Sequence, residues 1–83
     1  MSLYMDIHTI TGGVTAEAVA GAHRADLAEQ DAHGVKYLRY WVAEDAGKIF
    51  CLVEAPDAEA ADTVHREAHG LVADAVYPVS EHV

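Results

Sequence analysis

The chain has 83 residues, 52% of them hydrophobic, and its 14 acidic and 5 basic residues leave a formal net charge of -9. This length allows a single domain over residues 1–83 with a thin core, and the apolar content is too high for a disordered chain. The basic residues do not cluster, so we expect no nucleic-acid partner, and an anionic membrane surface would repel the chain.

The first half of the chain predicts a strand followed by a helix. Apolar and polar side chains alternate over Leu3–Ile10, which is typical of a strand with one face buried. A pair of glycines then ends the strand. Thr15 is a good N-cap for a first helix, which we expect to run to His33, with Gly34 as its left-handed C-cap.

A β-hairpin is predicted in the middle of the chain. Residues 36–44 are rich in β-forming side chains, and Asp45-Ala46-Gly47 reads as a tight turn with glycine at the left-handed position. A third strand follows over residues 48–54. This turn predicts that Glu44 pairs with Lys48.

A second helix and a last strand complete the chain. Asp57 caps the helix, which we expect to reach about His69 before a glycine closes it. Residues 71–79 predict a fourth strand at an edge of the sheet, because Pro78 has no amide hydrogen for a central ladder. The element order is βαββαβ, which predicts an α+β, ferredoxin-like fold with an antiparallel sheet.

Both faces of the predicted hairpin are mostly apolar. With the expected pairing, one face carries Arg39, Trp41, Ile49, Cys51 and Val53, and the other carries Leu38, Tyr40, Val42, Phe50, Leu52 and Glu54. Two helices cover only one face of a sheet, so the second face would expose an apolar patch too large for a monomer. We therefore expect a homodimer that packs sheet against sheet as a dimeric α+β barrel.

The strongest chemical motif is a histidine pair on the second helix. His65 and His69 are four residues apart and project from one side, and Asp62, three residues before His65, reaches the same flank. Two imidazoles and a carboxylate at this spacing form a clamp for a divalent ion such as zinc, nickel or copper. A structural interpretation stays open, in which His69 complements the negative helix end and His65 is a hydrogen-bonded residue at the core edge.

Three further residues are candidate metal ligands. His23 lies in the apolar stripe of the first helix, where a satisfied core histidine is the simpler interpretation. Asp6 and His8 share one face of the first strand, so they can bind a cation, line a pocket at the dimer interface or form a polar pair in a wet barrel. With Tyr40 or Trp41 they also support an alternative function, a cofactor-free monooxygenase or isomerase, by fold analogy alone.

The cysteine content bears on the compartment. Cys51 is the single cysteine, which excludes a disulfide within the chain, and we expect an inert buried thiol there. The sequence shows no apolar stretch of membrane-spanning length and no signal-peptide pattern. An unpaired cysteine without an export signal predicts a cytoplasmic protein.

Three segments resemble a family of small bacterial proteins. They are Val35-Lys36-Tyr37-Leu38-Arg39-Tyr40-Trp41-Val42, Lys48-Ile49-Phe50-Cys51-Leu52-Val53-Glu54-Ala55-Pro56 and Val64-His65-Arg66-Glu67-Ala68-His69-Gly70. The family was long described as a domain of unknown function and later as nickel-binding, and the resemblance covers nearly the whole chain. It implies a ferredoxin-like homodimer that binds nickel ions, with a role in nickel sequestration.

Overall fold

Four antiparallel strands and two α-helices make up the structure, a computed structural model that describes residues 1–83. The strands are β1 (Ser2–Thr9), β2 (Lys36–Ala43), β3 (Lys48–Ala55) and β4 (Ala75–Pro78), and the helices are α1 (Ala16–Glu29) and α2 (Ala58–Ala68). Within the sheet the strands lie in the order β2-β3-β1-β4. This arrangement confirms the predicted ferredoxin-like βαββαβ fold. Neither helix is long and apolar enough to cross a membrane.

Both helices begin at the predicted caps. The Thr15 hydroxyl accepts a hydrogen bond from the Ala18 amide at 3.1 Å, and the Asp57 carboxylate accepts one from the Ala60 amide at 2.8 Å. Each cap satisfies an amide that the first helical turn leaves unpaired. The caps therefore fix the first residue of each helix.

The end of α1 and the extent of β4 differ from the prediction. The α-helix stops at Glu29, and a short 3-10 helix (Gln30–His33) continues to Gly34, whose φ of 66° is left-handed. β4 is an edge strand, as expected, but residues 71–74 do not pair as a strand. Instead the Asp74 carboxylate accepts a hydrogen bond from the Thr9 amide at 2.6 Å, which fixes the approach to β4.

The β2–β3 hairpin is shifted by one residue from the predicted pairing, so that prediction was wrong. Ala43, and not Glu44, lies opposite Lys48. The reason is a four-residue turn, in which the Gly47 amide donates to the Glu44 carbonyl oxygen at 3.2 Å. The shift of one residue exchanges the faces of the pairs from Arg39 to Ala43, and a bulge between Tyr37 and Arg39 returns Tyr37 to the face of Val53.

The corrected register separates the two faces of the sheet. The face under the helices contributes most of the core, which consists of Val19, Val35, Tyr37, Ile49, Cys51, Val53, Ala55, Ala61 and Val64. The opposite face, which we call the open face, has no helix on it. It presents a groove of about 390 Å³ lined by Leu3, Met5, Arg39, Trp41, Leu52 and Val79, among others.

Candidate metal centre

Three elements bring ionisable side chains together between the sheet and the helices. β1 contributes Asp6 and His8, because their strand positions point toward the helices, while α1 contributes Asp26 and α2 contributes His65. All four side chains are buried, with relative exposures of 0 to 4%. Burying charges in a small core is costly unless they pair with one another.

His65 lies at the centre of this buried cluster. Its Nδ1 donates to Asp26 Oδ1 at 3.0 Å, and its Nε2 donates to Asp6 Oδ2 at 2.9 Å. Burial alone would lower the pKa of His65, but the hydrogen bonds to Asp26 and Asp6, with their negative charges, raise it to about 9. His65 is therefore an imidazolium held between two carboxylates at neutral pH.

Asp6 connects His65 to His8 and retains one unsatisfied oxygen. His8 Nε2 lies 3.2 Å from Asp6 Oδ1 and 3.3 Å from His65 Nε2. Burial alone would raise the pKa of Asp6, but the hydrogen bond from His65 and the neighbouring His8 ring hold that pKa at about 2. Asp6 Oδ1 is fully buried and has no hydrogen-bond partner, because the His8 ring is not aligned to donate to it.

His69 contacts the cluster from the side that faces solvent. Its Nε2 lies 3.0 Å from Asp26 Oδ1, and its Nδ1 accepts a hydrogen bond from the Leu71 amide at 3.0 Å. Since Nδ1 is an acceptor, Nε2 carries the proton of the neutral ring, and this nitrogen lies against the Asp26 carboxylate. His65 and His69 therefore both contact the same carboxylate oxygen, Asp26 Oδ1.

Tyr37 and Cys51 border the same cluster as neutral groups. The Tyr37 hydroxyl lies 3.2 Å from Asp6 Oδ2 and 3.0 Å from the Ala61 carbonyl oxygen. Burial first, and then the negative charge of Asp6, raise the pKa of both the phenol and the thiol. Cys51 is thus a buried thiol, and its sulfur lies among the donor atoms of the cluster.

A small cavity of about 30 Å³ opens beside the cluster. His8, Asp26, Cys51, His65 and His69 contribute to its lining. A site needs roughly 10–15 Å³ to hold one water molecule, so the cavity has room for a water molecule or a particle of similar size.

The structure places the six sequence-predicted metal residues differently. Asp6, His8 and His65 meet in the cluster, and His69 joins it through Asp26. His23 stands at the cavity rim, with its ring 4.6 Å from that of Tyr40. Asp6 and His8 face the helices, so the expectation of a pocket at a sheet-to-sheet interface is wrong for them.

Asp62 lies on α2 but outside the group of close donor atoms. Its Oδ1 is buried without a hydrogen-bond partner, and burial followed by the negative charge of Asp6 raises its pKa. The sequence-based reasoning missed Asp26, which is the second carboxylate of the cluster. The sequence does contain a signal for Asp26. It follows His23 by three residues and Val19 by seven, and a helix places residues at this spacing on one side.

Two sets of donor atoms in the cluster have the composition of metal sites. One set combines Asp6, His8, Cys51 and His65, and within it every pair of donor atoms is within 4.8 Å. The other set combines Asp26, His65 and His69 within the same limit. His65 belongs to both sets through its two ring nitrogens.

Known proteins match the chain over nearly its whole length. A family model described as nickel responsive protein SCO4226-like matches residues 4–79. The chain belongs to the SCO4226-like family of nickel-responsive proteins. In a comparison with solved structures, the crystal structure of SCO4226 from Streptomyces coelicolor A3(2) is 35% identical, with a TM-score of 0.90, covering 99% of this chain and 100% of that one. None of the curated proteins compared with the chain matches it.

Membership of the SCO4226-like family confirms the resemblance drawn from the three sequence segments. Those segments supply the hairpin and α2, which bring Cys51, His65 and His69 to the cluster. The family is described as nickel-responsive, and this SCO4226-like chain combines that family with a buried set of nitrogen, oxygen and sulfur donors. Imidazole nitrogen is a preferred ligand of nickel and its neighbours in the first transition series.

Proposed function

We propose that this chain binds Ni²⁺ and sequesters it, and that it does so without catalysis. The observation that supports this best is the unsatisfied Asp6 Oδ1, which lies fully buried beside the Nε2 atoms of His8 and His65. A buried carboxylate oxygen without a partner is rare in proteins, and a cation beside it would satisfy it. The nickel-responsive family supports nickel as the ion.

The size of the site favours storage over chemistry on an organic substrate. The cavity of about 30 Å³ leaves room for an ion but not for the substrate of a monooxygenase or isomerase. Tyr40 lines this cavity, whereas Trp41 lines the groove of the open face. His8 and Tyr40 share the cavity, so only the version of the alternative enzyme that uses Trp41 is disfavoured by this separation.

The surrounding charge and the thiol agree with this role. A net charge of -9 draws divalent cations toward the chain, which raises their local concentration near the cavity. An unpaired buried thiol persists best under reducing conditions, so we place the protein in the cytoplasm.

We also propose that two copies pack through the open face as a homodimer. Trp41 and Tyr77 are large side chains of this face and are 47% and 56% exposed. Arg39 lines the same groove as Glu81, so a second copy can pair these opposite charges across a two-fold axis. A second copy would cover apolar surface that no helix protects.

Titration calorimetry with Ni²⁺ tests the metal-binding role. We expect about one ion per chain, and we expect His65→Ala to weaken binding by about tenfold or more, since it removes the central imidazole. His33→Ala is the matched control, because His33 is half-buried, pairs only with Glu29 at 3.6 Å and lies outside the cluster. Absence of Ni²⁺ binding by the parent protein would refute the proposal. Equal Ni²⁺ affinities of the two variants would show that the site does not include His65.

A further inference from the structure

We propose that the ion occupies an inner site whose donors are Asp6 Oδ1, His8 Nε2, Cys51 Sγ and His65 Nε2, with Asp26 as a positioning residue. This inference rests on the proposed function and names the ligand set within it. It gives Cys51 a role as a metal ligand, where a single buried cysteine otherwise reads as part of the core. It also removes His69 from the ligands.

The distances between the donor atoms fit one ion. Each of the four residues offers a donor atom within 4.8 Å of the donor atoms of the others, with 3.2 Å between His8 Nε2 and Asp6 Oδ1 and 3.3 Å between the Nε2 atoms of His8 and His65. Ligands bound at about 2.0–2.3 Å around a common ion stand roughly 3–4 Å apart. Small side-chain rotations therefore bring the set onto a single centre.

The backbone elements that hold these donors are rigid neighbours. Asp6 lies directly opposite Cys51 in the β1–β3 ladder, and His8 lies two residues further along the same face. His65 comes down from α2 onto this pair of strands. The three strand donors thus occupy adjacent positions of one sheet face, and the fourth closes the site from above.

Asp26 orients the imidazole of His65 for this site. It holds Nδ1 at 3.0 Å, so only Nε2 faces Asp6 and His8. Metal-bound histidines nearly always donate their other ring nitrogen to a carboxylate or carbonyl, which fixes the tautomer. Asp26 is buried to 2% exposure, and therefore water does not compete for this contact.

His69 lies outside the inner set, because it does not belong to the group of donor atoms within 4.8 Å of one another that Asp6, His8, Cys51 and His65 form. Its Nδ1 lone pair accepts from the Leu71 amide, and its Nε2 is directed at Asp26. His69 instead supports Asp26 from the side that faces solvent.

X-ray absorption spectroscopy of the full chain loaded with Ni²⁺ tests the sulfur ligand directly. We expect one sulfur scatterer at about 2.3 Å beside lighter nitrogen and oxygen scatterers at about 2.0–2.1 Å, as at other thiolate and imidazole sites. A near-ultraviolet thiolate-to-nickel band should accompany it. Both signals should disappear in Cys51→Ser, which keeps a small side chain in the same place.

The positioning role of Asp26 has its own comparison. Asp26→Asn should lower the Ni²⁺ affinity by about 10- to 100-fold while the sulfur signal of the bound ion stays, because the ligands are unchanged. Asp31→Asn, which removes the same charge from an exposed position, should leave the affinity within about twofold. Equal affinities of the two variants would overturn the role of Asp26.

The outcomes separate this inference from the proposed function. Bound Ni²⁺ with nitrogen and oxygen ligands alone, unchanged in Cys51→Ser, would overturn the inner site and leave nickel binding intact. Absence of Ni²⁺ binding by the parent protein would overturn both. The parent spectrum needs no variant, so a poorly folded Cys51→Ser does not remove the test.

Discussion

His65 and Cys51 carry protons that a bound ion must replace. In the ion-free protein His65 is an imidazolium, because Asp26 and Asp6 raise its pKa to about 9 against the effect of burial, and Cys51 is a neutral thiol. One divalent ion in place of these two protons leaves the net charge of the buried cluster unchanged. An ion at the proposed site would thus add no buried charge to the cluster.

This exchange predicts that Ni²⁺ binding near pH 7 releases about two protons per ion. Calorimetry in buffers with different ionisation enthalpies measures the number, because the observed heat varies with the protons that the buffer takes up. Cys51→Ser should release about one proton. A binding enthalpy that is independent of the buffer would contradict the exchange.

The same residues predict how the stability of the metal-free protein depends on pH. The folded pKa of His65, about 9, lies above its unfolded value of about 6.5, so its stabilisation is complete below that value and disappears as pH rises toward 9. The reverse sign holds for His23 and His69, since burial lowers their pKa and stability falls as they become charged below about pH 6.5. Asp6, with a pKa of about 2, contributes fully above about pH 4.

We therefore expect the free energy of unfolding to be greatest near about pH 6.5 and to decline toward about pH 9 by a few kcal/mol. Urea denaturation with a chelator present measures this across the range. His65→Gln should flatten the alkaline decline, because the group whose pKa is raised is gone. Increasing stability of the parent protein between these pH values would show that His65 is not an imidazolium in the fold.

At the scale of the elements, helix caps could be predicted from the sequence, whereas contacts between distant elements could not. Thr15 and Asp57 cap their helices as predicted, since a cap is decided by the residue and the next three positions. The spacing of His65 and His69 correctly predicts that their rings lie side by side, with centroids 5.1 Å apart, although α2 ends one residue before His69. The spacing from Val19 and His23 places Asp26 on the buried side of α1, but no local pattern shows that His65 of α2 lies against it.

The hairpin register shows the same limit at a turn. A loop of three residues and one of four residues both suit the sequence around Asp45, and each places glycine at its end. The structure adopts the four-residue turn, in which Glu44 also accepts a hydrogen bond from the Ala16 amide at 2.8 Å. A contact to α1 therefore stabilises the turn that is seen, and it is invisible to a reading of residues 36–54 alone.

Gly47 and Gly34 provide a matched test of this turn. Both have a φ of 66°, so alanine meets the same left-handed backbone strain at each, about 1–2 kcal/mol. A Cβ on Gly47 would also collide with the Ile10 carbonyl oxygen, whereas one on Gly34 has open space. Gly47→Ala should therefore cost about 3 kcal/mol or more of unfolding free energy, clearly more than Gly34→Ala.

Chemical denaturation of both glycine variants measures the difference. Equal losses of unfolding free energy in the two variants would mean that the turn can move away from the end of β1 at little cost. The turn would then not fix the chain beyond His8. The comparison is clean because neither glycine contributes a donor to the cluster.

At the scale of the whole molecule, the two faces of the sheet present different groups. The helix face holds the buried cluster, and the open face holds the exposed aromatic side chains. Cys51 and Leu52 show how close the two faces are, since these successive residues of β3 point to opposite faces. Metal binding and dimer formation are therefore expected to respond to different substitutions.

This separation gives the last prediction, on the oligomeric state. Trp41→Glu places a charge in the middle of the open face, and a buried unpaired charge is costly, so the proposed dimer should dissociate. Leu27→Glu is the matched control, because Leu27 is 43% exposed, close to the 47% of Trp41, but lies on α1.

Light scattering after gel filtration should give twice the chain mass of 8.9 kDa for the parent protein and for Leu27→Glu, and the single mass for Trp41→Glu. Trp41→Glu should still bind Ni²⁺ within about threefold of the parent affinity, because distant independent sites respond additively. A parent protein that elutes as a monomer would refute the dimer, and a dimeric Trp41→Glu would place the interface on another surface.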